Sequence, residues 1–201
     1  GNEYDAQDRA EIVDEARLAA RLSHPNVVPI FEAGMHKNSP VLIFEYVEGV
    51  SLRHYAEHRG AFSESEALGL VMGIAAGMQC AHEQGVAHLD LSPNNVMVDA
   101  ENRPRVMDFG LARLISKAVT NEEDIISGTP RYMSPEHFSS QPLSAATDVF
   151  SLGLITYELL TAKHALDAPS VDAMVGVICK VDVDWAALAE ANISPEVIAL
   201  I

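Results

Sequence analysis

Residues 88–110 read HLDLSPNNVMVDAENRPRVMDFG, and the rest of the chain is best understood from them outward. Two short strand patterns, residues 96–98 and 105–107, flank the polar turn Asp99-Ala100-Glu101-Asn102-Arg103-Pro104, which has the composition of a hairpin connection. Asp90 and Asn95 precede the first strand, and Asp108 follows the second. A hairpin brings its outer ends together, so two carboxylates and an amide are predicted to converge at one rim. Such a cluster suits an Mg²⁺ that also binds phosphate, because Mg²⁺ takes oxygen ligands and usually only one or two carboxylates.

The 201 residues suffice for one sizeable core, or one core with a small appended lobe. A hydrophobic content of 48% with 21% charged residues is that of a globular chain, not a disordered one. The net charge of −16 argues against nucleic acid, whose phosphates need Lys and Arg to displace counterions. It argues equally against contact with an anionic membrane surface. Cys80 and Cys179 lie far apart in apolar helical patterns and read as buried free thiols of a reducing compartment. The sequence has no signal peptide pattern and no apolar run of bilayer-spanning length. Cytoplasmic placement is therefore expected for this segment, whatever anchor the parent carries. The chain starts at Gly1 and ends in the helical pattern Ser194-Pro195-Glu196-Val197-Ile198, with Ser as N-cap and Pro at the first helical position. It is expected to be a fragment.

Residues 5–22 predict a helix with Ile12, Ala16, Ala19 and Leu22 on one face. Ser23-His24-Pro25-Asn26 ends it, since Pro25 disfavours helical geometry before it. Residues 27–32 and 41–46 predict two strands around a Gly/Asn/Pro loop, and residues 51–58 and 63–84 two helices. Ser63 with Glu66 makes a capping box. Leu68, Val71, Met72, Ala75 and Met78, with Gln79 as a polar exception, are predicted to form the buried face of the longer helix. Gly69, Gly73 and Gly77 each cost that helix about 1 kcal/mol against Ala, and their four-residue spacing suggests a close packing contact. His54 and His58 have a spacing seen in zinc sites, but nothing nearby completes a ligand set. A further apolar helix is expected from Thr147 to about Leu160, and helical pattern alone from Trp185 to Ile201.

The pattern H-x-D-L-x-x-x-N followed by Asp108-Phe109-Gly110 resembles the catalytic loop and D-F-G signature of protein kinases. Ser127-Gly128-Thr129-Pro130-Arg131-Tyr132-Met133-Ser134-Pro135-Glu136 is similar to the end of a kinase activation segment of the serine/threonine type. Phe44-Glu45-Tyr46-Val47-Glu48-Gly49 looks like the hinge between kinase lobes. The closest flavour is the bacterial, or eukaryotic-like, serine/threonine kinase. The resemblance implies an α+β, two-lobe, protein-kinase-like fold. A truncated small lobe with one helix and two strands would occupy residues 1–46, and a mainly helical large lobe, truncated at its C-terminus, residues 47–201.

The resemblance also implies roles and ligands: ATP, Mg²⁺, and a protein substrate with a Ser or Thr hydroxyl. Asp90 would accept or orient the hydroxyl proton. Asn95 and Asp108 would hold metal. Glu15 would position the lysine that grips the α/β-phosphates, against the bland reading of a solvated helix glutamate. Phe44 would be the gatekeeper, the backbone of Glu45 and Val47 would carry the adenine hydrogen bonds, Ser51 would lie near the ribose, and Met97 would form the adenine floor. Thr129 would bond to Asp90. His88, Phe109 and Ala19 would stack in the regulatory spine, Gly110 would free the backbone after Asp108, and His82 would be structural. Glu136 would pair with an Arg beyond Ile201, its burial being costly without one. Asp148 would bind the catalytic-loop backbone, with N-capping as its plainer alternative. Thr120 and Ser127 are potential phosphosites.

Two positions depart from the pattern. Leu89 stands where many kinases have the Arg that receives an activation-loop phosphate, and Ser92 where serine/threonine kinases place a Lys near the γ-phosphate. No Lys precedes Lys37 and no Gly-rich loop precedes the first helix, so half of the phosphate clamp is missing from these residues. Three readings stay open: a serine/threonine protein kinase, a pseudokinase scaffold or binding module, and a small-molecule phosphotransferase of the aminoglycoside or choline kinase type. The isolated segment is expected to be inactive and marginally stable, with apolar surface exposed around its first strands.

Overall fold

The structure, a computed structural model, describes residues 17–36, 39–109, 130–139, 141–181 and 183–201. Residues 17–19 are helical and lead through a turn to Pro25 and Asn26. Ala19 and Leu22 are buried, as their spacing predicts, while Ile12 and Ala16 lie outside the described residues. Strands β1 (Ile30–His36) and β2 (Ser39–Phe44) then form an antiparallel pair. Three short strands make a second sheet: β3 (Gly49–Ser51), β4 (Val96–Asp99) and β5 (Pro104–Val106), with β4 in the middle. Of the helices α1 (Leu52–Arg59), α2 (Glu64–Glu83) and α3 (Ala145–Thr161), the last two bring the larger shares of the core, while α1 buries Leu52. The chain closes with α4 (Val171–Lys180), α5 (Trp185–Glu190) and α6 (Pro195–Ile198).

The predicted strands shift for identifiable reasons. Residues 27–29 do not join β1. The Val28 N–H donates to the Val106 carbonyl at 2.8 Å, and the Val106 N–H to Asn26 at 2.8 Å, so this stretch lines the edge of β5. β1 and β2 extend further into the connection than a Gly/Asn/Pro loop suggests, because Gly34 pairs with Val41 in ordinary strand register and Pro40 is paired with Met35, one step from the end of the ladder at His36 and Ser39. On the solvent side of this ribbon Phe31, Val41 and Ile43 are exposed, Phe31 by 68%. The hairpin at residues 96–107 forms as its pattern predicts, and one hydrogen bond in the same register follows the end of β5, from the Met107 N–H to the Asn95 carbonyl at 2.9 Å. Asp99 fixes its turn, with Oδ1 accepting from the N–H groups of Glu101 (3.0 Å) and Arg103 (2.9 Å).

Helix termini follow their capping residues. Ser63 and Glu66 make the reciprocal box that starts α2. Ser144 and Thr147 make another, which starts α3 at Ala145 rather than at Thr147. The buried face of α2 is not the predicted one: Ala67, Leu70, Ile74, Gly77, Met78 and Ala81 face the core, while Met72 is 69% exposed. Gly73 and Gly77 let α2 lie close to Pro104 and to Asn26, which turns Leu70, Ile74 and Met78 into the core. Cys80 is half-buried and Cys179 exposed, so the expectation of two buried thiols is corrected. The His54 and His58 rings lie with centroids 3.9 Å apart and tilted by 42°, with the His58 Nδ1 at 2.9 Å from the His54 carbonyl. Among the described residues no cluster of three or more His, Cys, Asp or Glu is placed to hold a metal, and no helix is long and apolar enough to cross a membrane.

The glycines of α2 offer a controlled test of that close approach. A Cβ at Gly77 would lie 2.7 Å from the Asn26 backbone oxygen, whereas one at Gly69 would meet nothing within 4 Å. Gly77→Ala is expected to destabilise by about 1–3 kcal/mol, and Gly69→Ala to be neutral or stabilising by up to about 1 kcal/mol. Urea unfolding of both variants checks this, and equal responses would refute the packing account.

Candidate active site

The hairpin brings Asp90, Asn95 and Asp108 to one rim. Pro93 starts a 3₁₀ turn, Pro93–Asn95, that feeds directly into β4. Its last residue points back: Asn95 Nδ2 donates to the Asp90 carbonyl at 2.8 Å and to Asp90 Oδ2 at 3.2 Å. The Asn95 carbonyl in turn accepts the Met107 N–H, which ties the residue before Asp108 to the same turn. Asp108 adopts φ +64°, a left-handed geometry that a short polar side chain tolerates. Burial pushes the Asp108 carboxyl above its ordinary range, the His88 ring partly offsets this, and the neighbouring Asp90 charge adds to the rise.

Beneath this rim sits His88, which is wholly buried with its ring centroid 5.0 Å from that of Phe109. The Asp90 N–H approaches His88 Nδ1 at 3.3 Å, so Nε2 carries the proton and donates to the Met107 carbonyl at 2.9 Å. Asp148, in the first turn of α3 and 1% exposed, accepts three hydrogen bonds. Oδ1 takes the Leu89 N–H at 2.7 Å, and Oδ2 takes the His88 N–H at 2.9 Å and His82 Nε2 at 2.8 Å. Ser144 is the N-cap of α3, so the capping alternative for Asp148 is corrected. Leu89 has φ +64°, which for a non-glycine residue costs about 1–2 kcal/mol, and the Asp148 contact offsets it.

A model of the family described as the protein kinase domain matches residues 2–201. The chain belongs to the protein kinase domain family. A probable serine/threonine-protein kinase pknA2 of Bifidobacterium longum is 33% identical over 187 residues, covering 93% of this chain and 25% of the relative. The serine/threonine-protein kinase PknB of Mycobacterium leprae is 37% identical over 155 residues, covering 74% and 25%. PrkC of Bacillus subtilis is 31% identical over 156 residues, covering 78% and 24%. The chain thus spans about a quarter of the length of these curated relatives. Among solved structures, Rad53 residues 1–466 in complex with AMP-PNP superposes with a TM-score of 0.77 at 23% identity, covering 94% of this chain and 47% of that one. The fold is that of a protein kinase, a mixed arrangement of helices and sheet.

In this kinase domain the hinge-like stretch leaves β2 at Phe44, which is half-buried against the core. The Glu45 N–H donates to the Pro29 carbonyl at 2.9 Å, and its carboxylate pairs with Arg105 of β5. Val47 is buried. Ser51 caps α1, its hydroxyl oxygen accepting the His54 N–H at 3.2 Å. Met97 lies in β4 between Ser51 and Arg105 in register. Glu15, Gly110, Thr120, Ser127 and Thr129 lie outside the described residues.

Glu136 corrects an expectation. It is half-buried, not sealed in the core, and accepts the Thr147 hydroxyl at 2.8 Å. Burial opposes its ionisation, but its own backbone N–H and the Thr147 and Ser134 hydroxyls outweigh that and hold its carboxyl below the usual range. The buried glutamate that sequence reading missed is Glu158 of α3. It accepts from Arg53 of α1 and from the Tyr132 hydroxyl, with His164 Nδ1 at 3.4 Å. Arg53 also donates to the Tyr132 oxygen. Burial works against ionisation of Glu158, yet the nearby His164 ring, the hydrogen bond from Tyr132 and the Arg53 charge together keep it below the ordinary carboxylate range. Burial and the Glu158 charge push the Tyr132 phenol far above its usual value. These three groups are spread from residue 53 to residue 158, and no local pattern joins them.

Proposed function

We propose that this domain transfers the γ-phosphoryl of ATP to a Ser or Thr hydroxyl of a protein. The observation that carries the reading is the convergence of Asp90, Asn95 and Asp108 at one rim, braced from below by His88 and Asp148. Membership of the kinase family, with relatives named serine/threonine-protein kinases, and the fold shared with a protein solved with AMP-PNP support it. The small lobe is assigned to residues 1–46 and the large lobe to residues 47–201.

Asp90 would orient the acceptor hydroxyl and take its proton, with Asn95 holding the Asp90 carboxylate in place through the amide N–H. The donor set fits Mg²⁺: Asn95 and Asp108 offer oxygen ligands, and the rise of the Asp108 carboxyl by burial is the condition a nearby cation relieves. When bound, Mg²⁺ would neutralise charge on the β/γ-phosphates. Phosphoryl transfer asks the protein chiefly for positioning and electrostatics. The adenine would lie over Met97 and against Phe44 and Val47. Because the Glu45 N–H is taken by Pro29, Glu45 would contribute its carbonyl. With Ser51 serving as helix cap, its hydroxyl proton is what it has to offer a ribose.

A second reading, nucleotide binding without transfer, draws on Ser92, which is buried where the family has a cation. One experiment separates the two. The intact protein is assayed for γ-phosphate transfer to a generic protein acceptor with Mg²⁺, beside Asp90→Asn. Transfer in the wild type that falls by roughly a thousandfold in the variant supports the kinase reading. Mg-ATP binding without transfer in the wild type would replace it with the binding module.

A further inference from the structure

Leu89 immediately precedes Asp90, so whatever fixes its backbone fixes the direction in which the Asp90 carboxylate leaves the loop. Its conformation is left-handed, at φ +64°. Its N–H is held by Asp148 Oδ1 at 2.7 Å, and its carbonyl lies 3.1 Å from His137 Nε2. His137 belongs to a different element, the 3₁₀ turn Pro135–Phe138. The tautomer of its ring follows from the other nitrogen. Nδ1 lies 3.1 Å from the Ser134 N–H and 3.0 Å from the Ser134 hydroxyl, in a position where Ser134 is wholly buried. A backbone N–H can only donate, so Nδ1 is the acceptor and the ring proton sits on Nε2, aimed at the Leu89 carbonyl.

We propose that His137 is a positioning residue for phosphoryl transfer: it clamps the Leu89 carbonyl and so orients Asp90. The inference rests on the kinase reading above. The clamp reaches a backbone atom, and any residue at position 89 supplies one. It therefore joins the Pro135–Phe138 turn to the loop carrying Asp90 without an arginine side chain or a phosphate, which suits a chain with Leu at this place. His137 and Asp148 hold the two polar groups of one strained residue from opposite elements, leaving that residue little freedom to rotate.

Glutamine and asparagine split the two contacts of the ring. The Gln amide nitrogen reaches as far as Nε2 and can donate to Leu89, while the Asn amide reaches only as far as Nδ1 and can serve Ser134 alone. In the intact protein, His137→Asn and His137→Ala are expected to lower kcat by about tenfold to a hundredfold, with the KM for ATP unchanged. His137→Gln is expected to recover most of the rate. Melting temperatures of the Asn and Gln variants should match, which separates positioning from stability. Equal kcat values for Asn and Gln, or a loss of rate that simply follows melting temperature, would overturn the proposal. Histidine ring ¹⁵N NMR of the wild type, assigned with the Asn variant, supplies a readout independent of turnover. A proton on Nε2 supports the clamp, and one on Nδ1 overturns it. Were the wild type to transfer no phosphate, the kinase reading would fall while the ring tautomer still decided whether the clamp exists.

Discussion

Asp148→Ala is expected to cost the fold about 3–5 kcal/mol, because it leaves two buried N–H groups, those of His88 and Leu89, without an acceptor. For a chain of this size that corresponds to a melting temperature lower by about 6–20 °C. The side chain is 1% exposed, so water cannot replace it without opening the contact between α3 and the Asp90 loop. Asp148→Asn should be nearly as damaging. An amide offers one acceptor oxygen where the carboxylate offers two, and its NH₂ group would face the N–H of His88 or Leu89, or His82 Nε2. Differential scanning calorimetry of both variants tests this. An Asp148→Asn melting temperature within a degree or two of the wild type would show that the carboxylate is not what holds the loop. Relaxation of Leu89 should follow in either variant, so the loss of activity should exceed what the unfolded fraction accounts for.

The hairpin at residues 96–107 was legible because it is local. Its strands, its turn and its flanking polar residues are contiguous, and a hairpin has one way to bring its ends together. The capping box at Ser63 and Glu66 was legible for the same reason. What was not legible depends on partners distant in sequence. The buried face of α2 could not be chosen by periodicity, since the helix is apolar on more than one side and the choice fell to the close approach of Pro104 at Gly73 and of Asn26 at Gly77. The start of β1 moved because residues 26–28 bond to Val106, some eighty positions away. Arg53, Tyr132 and Glu158 each read singly as ordinary polar residues, and only the meeting of their side chains from α1, the Pro130–Tyr132 turn and α3 makes them a network. His137 is similar: nothing in Ser134-Pro135-Glu136-His137 announces a contact with Leu89.

Asp108→Asn is expected to make the metal-free protein more stable and the enzyme at least about a thousandfold slower, two effects of opposite sign from one carboxylate. The carboxyl is partly buried beside Asp90, and its folded-state pKa is raised by burial first and by the Asp90 charge in support. A raised carboxyl favours folding only while protonated. Its contribution is full below the unfolded pKa and is lost as pH rises through the folded one, so at neutral pH the wild type carries the cost of an ionised, desolvated group. The Asn variant has no such charge and should melt at a higher temperature in chelator at pH 7, with the difference shrinking toward pH 4. Adding Mg²⁺ and ATP reverses the ranking. Ligand at a hundred times its Kd stabilises by about 2.7 kcal/mol, available to the wild type and largely lost to a variant without the Asp108 oxygen. Thermal melts with chelator and with Mg-ATP, at two pH values, read all of this from one pair of proteins. A variant that melts below the wild type in chelator would mean that Asp108 serves the fold and not a cation.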